Sequence, residues 1–240
     1  MEAQLADNPM FYSDIVPLDR DRHRGFTLDV GEKRFSVAAR SHVIPALMQE
    51  FSAASAHLPI VFLPGTGTPV AVFLVGLRTG CSAMVDSEGE WRGNYVPAYL
   101  RRYPFMLGEV TDGEPVVCID AKYAVSAESD GARIFSDAGE NTPLLVERVR
   151  LMNEYYGAAK ANETFIKTLN EFGLLRPISI DARIPSGENV SMQGLLVVDE
   201  QKLSALPDES FLRLRKEGVL PAIYAHLASL AAVESLRKLS

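Results

Sequence analysis

Hydrophobic and polar positions change in short blocks through the first half of the chain and recur at helical spacing through the second. Residues 26–30 (FTLDV) and 34–38 (RFSVA) predict two strands joined by Gly31-Glu32-Lys33 as a hairpin. A helix is expected next. Pro45 suits its first turn, and Leu47, Met48, Phe51, Ala54 and Leu58 share one apolar face until Pro59 stops it. Residues 60–63 and 70–77 are continuous apolar runs rich in β-branched and aromatic side chains, which predicts central strands covered on both faces. A short helix is expected over residues 96–102, with Pro97 in its first turn and Pro104 at its exit. Strands are expected at residues 105–107 and 116–119, and turns at residues 86–90, 112–114, 130–131 and 137–140.

From Thr142 onward the period is helical. A hydroxyl at Thr142 followed by Pro143 is a start signal, and Leu145, Val149, Met152, Tyr156, Ala159, Ile166 and Leu169 keep one face up to Gly173. Residues 177–184 and 191–198 bracket Pro185-Ser186-Gly187-Glu188-Asn189 as a second hairpin. Asp199, then Asp208 with Glu209, open two further helices, and acids are favourable at such ends. Pro221 opens a last helix with Ile223, Leu227, Leu230, Val233 and Leu236 on one face. The pattern is α+β, with a strand-rich N-terminal half carrying a mixed or antiparallel sheet and a helix-rich C-terminal half. It reads as a single domain over residues 10–240 behind a flexible N-terminal tail, residues 1–9.

Composition narrows the function classes. The 240 residues are 47% hydrophobic and carry a net charge of -7, enough apolar content for a core and the wrong sign for sequence-independent binding of nucleic acid. The first ten residues lack the basic and apolar regions of a secretory signal, and no apolar run is long enough to span a bilayer. Cys81 and Cys118 lie in apolar surroundings without a CxxC partner, which predicts reduced thiols packed in the core of a cytoplasmic protein.

The chemistry-bearing patterns mostly fail on spacing. Gly65-Thr66-Gly67 has neither the third glycine of a dinucleotide fold nor a Gly-Lys-Ser/Thr, so it reads as a strand connection. His23, His42, His57 and His226 are followed two residues on by Gly25, Ile44, Pro59 and Ala228, so no His-x-carboxylate pair of an iron site exists. No HExxH, Cys/His cluster, calcium loop or Gly-x-Ser-x-Gly elbow is present, so neither a metal nor a cofactor is expected. His226, beside Tyr224, reads as a packing or interface residue. Residues 91–105 (WRGNYVPAYLRRYPF) stand apart, because Trp91, Tyr95, Tyr99, Arg101, Arg102 and Tyr103 have the composition of a recognition surface. Against that, aromatics so spaced also fill core edges, with Arg101 and Arg102 pairing to local acids.

Several segments together resemble the SapC family of bacterial proteins. They are residues 11–24 (FYSDIVPLDRDRHR), Pro59-Ile60-Val61-Phe62, Trp91 with Tyr95-Val96-Pro97-Ala98, Arg101-Arg102-Tyr103-Pro104-Phe105, Val117-Cys118-Ile119-Asp120, Leu196-Val197-Val198-Asp199-Glu200 and Ile223-Tyr224-Ala225-His226-Leu227. The resemblance implies a bacterial protein and an association with surface layers or uptake systems; it brings no catalytic motif. The expectation is a non-catalytic cytoplasmic binding or accessory protein of a surface-layer, transport or peptide-modification system. It would have a protein or peptide partner, and the terminal helix would support a homodimer. The alternative is an enzyme without a linear motif, acting on a peptide or small molecule in a pocket between sheet and helices. A secreted layer component is a third reading.

Overall fold

The computed structural model describes residues 8–28, 35–108, 115–123 and 131–240, and among them every strand pairing is antiparallel. The strands are β1 (Ile15–Pro17), β2 (Thr27–Leu28), β3 (Val43–Pro45), β4 (Ile60–Leu63), β5 (Val70–Leu74), β6 (Phe105–Gly108), β7 (Val116–Asp120), β8 (Ala132–Arg133), β9 (Leu175–Arg183) and β10 (Asn189–Val198). The helices are α1 (Phe51–Ala54), α2 (Ala98–Arg102), α3 (Pro143–Glu171), α4 (Glu200–Ser204), α5 (Asp208–Lys216), α6 (Leu220–Ser229) and α7 (Val233–Leu239). Strands β1 to β8 precede α3, and only the β9–β10 hairpin interrupts the helices after it, so the fold is α+β with an early strand-rich half.

The chain divides into two compact units. The larger comprises Ala38–Asp86, Trp91–Tyr99 and Ala158–Ser240. Its sheet has the order β3-β5-β4-β10-β9. The centre of that sheet is where the sequence is continuously apolar: Ile60, Val61 and Phe62, then Ala71, Val72, Phe73 and Leu74, are all buried. Because successive side chains point to opposite faces, such a run requires cover on both. Phe165 of α3 supplies part of it, with its ring 5.8 Å from that of Phe51 and 6.3 Å from that of Phe62. Asn162, one turn earlier, accepts from the Met48 N–H at 2.8 Å and donates to the Ala46 carbonyl at 3.3 Å. In the β9–β10 hairpin the register shifts between Met192 and Leu195, where Gly194 takes a φ of 74° that a side chain would oppose.

The smaller unit comprises Met1–Val37, Ser87–Glu90 and Leu100–Gly157. It holds the sheet β1-β7-β6 and the pair β2-β8. Phe105, Ile119, Ile134, Phe135, Leu145 and Met152 gather there as a hydrophobic core. Thr142 starts α3 as its sequence suggested, with the hydroxyl accepting from the Leu145 N–H at 3.4 Å. The far end of α3 closes at Gly173, φ 59°: the Leu174 N–H reaches the Leu169 carbonyl and the Gly173 N–H reaches that of Asn170, each at 3.0 Å. These paired bonds cap orphan carbonyls in the left-handed manner glycine allows.

Three expectations are corrected. Ser36–Ala38 form a 3-10 turn rather than a strand, and β2 pairs with β8 instead of with its neighbour in sequence. The expected hairpin turn at residues 31–33 lies outside the described residues. The helix expected from Pro45 is short: Pro45 belongs to β3, a 3-10 turn follows at Met48–Glu50, and α1 covers only Phe51–Ala54. Pro45 lies on a strand at the sheet margin, where a missing N–H is tolerated, and pairing of β3 with β5 outweighs the local helical spacing. Cys118 is buried as expected, but Cys81 is exposed, because it follows the left-handed turn at Gly80 instead of lying within a strand.

Among the described residues no single helix is long and apolar enough to cross a membrane; α5 with residues 220–239 has the length and composition only as a pair bent by 93°.

Candidate functional site

The segment 91–105 is divided between the units, and each of its six singled-out residues is buried or half-buried. In the larger unit the Trp91 indole N–H donates to the Tyr95 carbonyl at 2.8 Å. The Tyr95 hydroxyl donates to Glu50 Oε1 at 2.7 Å, its ring lies 6.2 Å from that of Phe73, and Tyr99 is buried. Glu50 is buried too. Its Oε1 also accepts from the Ala98 N–H at 2.7 Å and its Oε2 from the Leu47 N–H at 3.2 Å. A carboxylate can sit in the interior when such donors replace water.

The smaller unit repeats this construction. Asp120, at the end of β7, is fully buried; its Oδ2 accepts from the Ser13 N–H at 2.9 Å and the Tyr103 hydroxyl at 3.2 Å. Its Oδ1 accepts from the Asp14 and Lys122 N–H groups, each at 3.2 Å. Burial first, then the Asp120 charge and hydrogen bond, hold the Tyr103 hydroxyl protonated well above the ordinary tyrosine range. The Arg102 guanidinium lies 4.4 Å from the ring centroid of Tyr155 and 5.5 Å from that of Tyr12, while the Arg101 carbonyl accepts from Arg148 at 2.8 Å. The structure thus brings Trp91 with Tyr95, and Arg102 and Tyr103 with Tyr12.

His226 on α6 is likewise interior. Its Nε2 accepts from the Val198 N–H at 3.0 Å, so the proton lies on Nδ1, which faces the Ile60 carbonyl at 3.0 Å. Ser229, one turn on, accepts from the Ile60 N–H at 2.9 Å. Strands β4 and β10 share only the Leu196–Phe62 rung, and these side chains satisfy backbone groups where the ladder stops. Burial lowers the His226 pKa to about 4, against the weaker opposing effect of its bond to Ile60. The ring is therefore neutral near pH 7, a packing residue as its sequence context suggested.

One sizeable opening lies among α4, α5 and α6, and a second, of about 500 Å³, is bordered by Arg176, Asp199, Glu200 and Gln201. The first, a groove of about 530 Å³, is lined by the apolar Leu203, Leu206, Phe211 and Leu227, by the polar Glu200, Ser204 and Asp208, and by Tyr224, 52% exposed. The helical period explains the grouping: Glu200, Leu203 and Ser204 share a face of α4, Asp208 and Phe211 a face of α5, and Tyr224 and Leu227 a face of α6. Sequence reasoning missed this groove. Its one signal was an aromatic, Tyr224, one position outside the buried stripe of Ala222, Ile223, His226 and Ser229. Among the described residues no group of three or more His, Cys, Asp and Glu side chains is arranged to hold a metal.

Fold and site together define an antiparallel α+β protein whose buried acids and histidine bind its own backbone and whose C-terminal helices frame an open groove of mixed polar and apolar lining. The chain matches the SapC family over residues 18–236 of its 240 and belongs to that family. No curated protein matches it significantly, nor does any solved structure.

Proposed function

We propose that this is a non-catalytic binding or accessory protein, acting in the cytoplasm of a bacterium for a surface-layer, transport or peptide-modification system, and that it holds a segment of a protein or peptide partner in the α4–α5–α6 groove. The observation that carries the reading is the groove itself, in which Leu203, Leu206, Phe211 and Leu227 lie among Glu200, Ser204 and Asp208, open to solvent beside the half-exposed Tyr224. The internal use of Glu50, Asp120 and His226 supports it, since each is engaged by backbone groups rather than directed at a cavity. The aromatic segment 91–105 then serves the partner indirectly, by holding the frame. A photo-crosslinking amino acid placed at Tyr224, followed by mass spectrometry of the intact adduct, tests this. A stoichiometric peptide or protein adduct, absent when the crosslinker is moved to Glu154 on α3, is expected; recovery of a small molecule that the protein converts would replace the reading with an enzyme.

A further inference from the structure

We infer that the occupant of the groove is a cationic amphipathic segment, in which aliphatic side chains alternate with Lys or Arg at helical spacing. This rests on the groove reading above and specifies its chemistry. The charged residues lining the groove are Glu200 and Asp208, both acids. Among the described residues neither carboxylate enters an ion pair. Arg213 lies 3.1 Å from Glu171 and 2.7 Å from Glu217, and the Lys202 ammonium donates to the Gly173 carbonyl at 3.1 Å, while Arg176 of β9 borders a neighbouring opening with Glu200 without forming an ion pair to it. Glu200 is not needed as a helix cap either, because Asp199 accepts from the Gln201 and Lys202 N–H groups at the start of α4. Glu200 and Asp208 thus line a groove of mixed polar and apolar surface with no ion-pair partner among the described residues. A segment carrying Lys or Arg beside aliphatic side chains would supply the complement, and the net charge of -7 attracts it from a distance.

The test uses the full chain and labelled peptides of about fourteen residues, roughly four helical turns. A Leu/Lys amphipathic peptide is compared by fluorescence anisotropy with a Leu/Glu peptide of the same pattern and with a Ser/Lys peptide of the same charge. The Leu/Lys peptide is expected to bind at least tenfold more tightly than either control, and the double variant Glu200→Lys, Asp208→Lys is expected to weaken it by roughly 10- to 100-fold. Tyr224→Ala, at an exposed position, should weaken it as well while leaving the circular dichroism spectrum unchanged. Equal binding of Leu/Glu overturns the charge inference and leaves the groove reading standing. Equal binding of Ser/Lys overturns it too, as attraction to the surface at large. If no peptide binds but the Tyr224 crosslink still captures a partner, the charge inference alone fails; if both fail, so does the groove reading. A dimer that Tyr224→Ala dissolves would put a second copy in the groove and exclude the cationic segment.

Discussion

The Tyr95 hydroxyl and the Glu50 carboxylate, 45 positions apart in the chain, meet at 2.7 Å inside the larger unit. Tyr103 and Asp120 form the corresponding pair in the smaller one. Two of the three tyrosines that look like a recognition surface in the sequence, Tyr95 and Tyr103, thus each close a buried acid. Removing the acid strands its donors, whereas removing the hydroxyl removes one donor of several. Glu50→Ala should therefore cost about 3 kcal/mol or more, and Tyr95→Phe about 1 kcal/mol, in urea denaturation. Equal effects would mean that the backbone N–H groups of Leu47 and Ala98 find other acceptors.

Tyr103 makes an alkaline prediction. Its folded pKa is raised, so the stability it contributes is complete below the unfolded value near 10 and is lost as pH rises through the folded value. Ultraviolet titration should show a phenol that resists ionisation until the chain unfolds. Asp120→Asn, which removes the second cause of the shift, should bring that ionisation to lower pH; an unchanged titration would leave burial as the whole cause.

His226 works at the acid end. Its folded pKa, about 4, lies below the unfolded value near 6.5, so the unfolded chain binds the proton more readily. The contribution is complete above about pH 6.5 and is lost as pH falls toward about 4, amounting to about 2 kcal/mol between pH 7.5 and pH 5. Urea midpoints of the wild type and His226→Gln, taken at both pH values, isolate it from the carboxylates. The variant should be less stable at pH 7.5 and should lose less on acidification.

The two thiols should differ in reactivity. Cys81 is exposed, whereas Cys118 is buried and its burial raises the thiol pKa. A thiol reagent should label one cysteine of the native chain rapidly and both in denaturant. Cys81→Ser should abolish the rapid phase; labelling of Cys118 in that variant would reveal local opening around β7.

The long-period features were legible from sequence and the short-range choices were not. Helix α3 carries its signals in the chain: Thr142 and Pro143 at one end, Gly173 at the other, and a stripe between. The buried runs of β4 and β5 read directly as central strands. Around Pro45 a helical spacing competed with strand pairing to distant residues, and the pairing prevailed because β5 offered a partner no local rule could reveal. The polar pairs were hidden for the same reason. Nothing near Tyr95 announces Glu50, and nothing near His226 announces Ile60 and Val198. The groove escaped notice because three short helices build it, each contributing only two or three side chains.

Strand β9 lies at the margin of the five-stranded sheet, with a row of backbone groups facing away from β10. Along it stand Arg176, Pro177, Asp181 and Arg183, all exposed. A ring that cannot donate and charges of both signs make this border a poor template for a foreign strand. A sheet margin built in this way resists edge-to-edge growth by addition of a further strand.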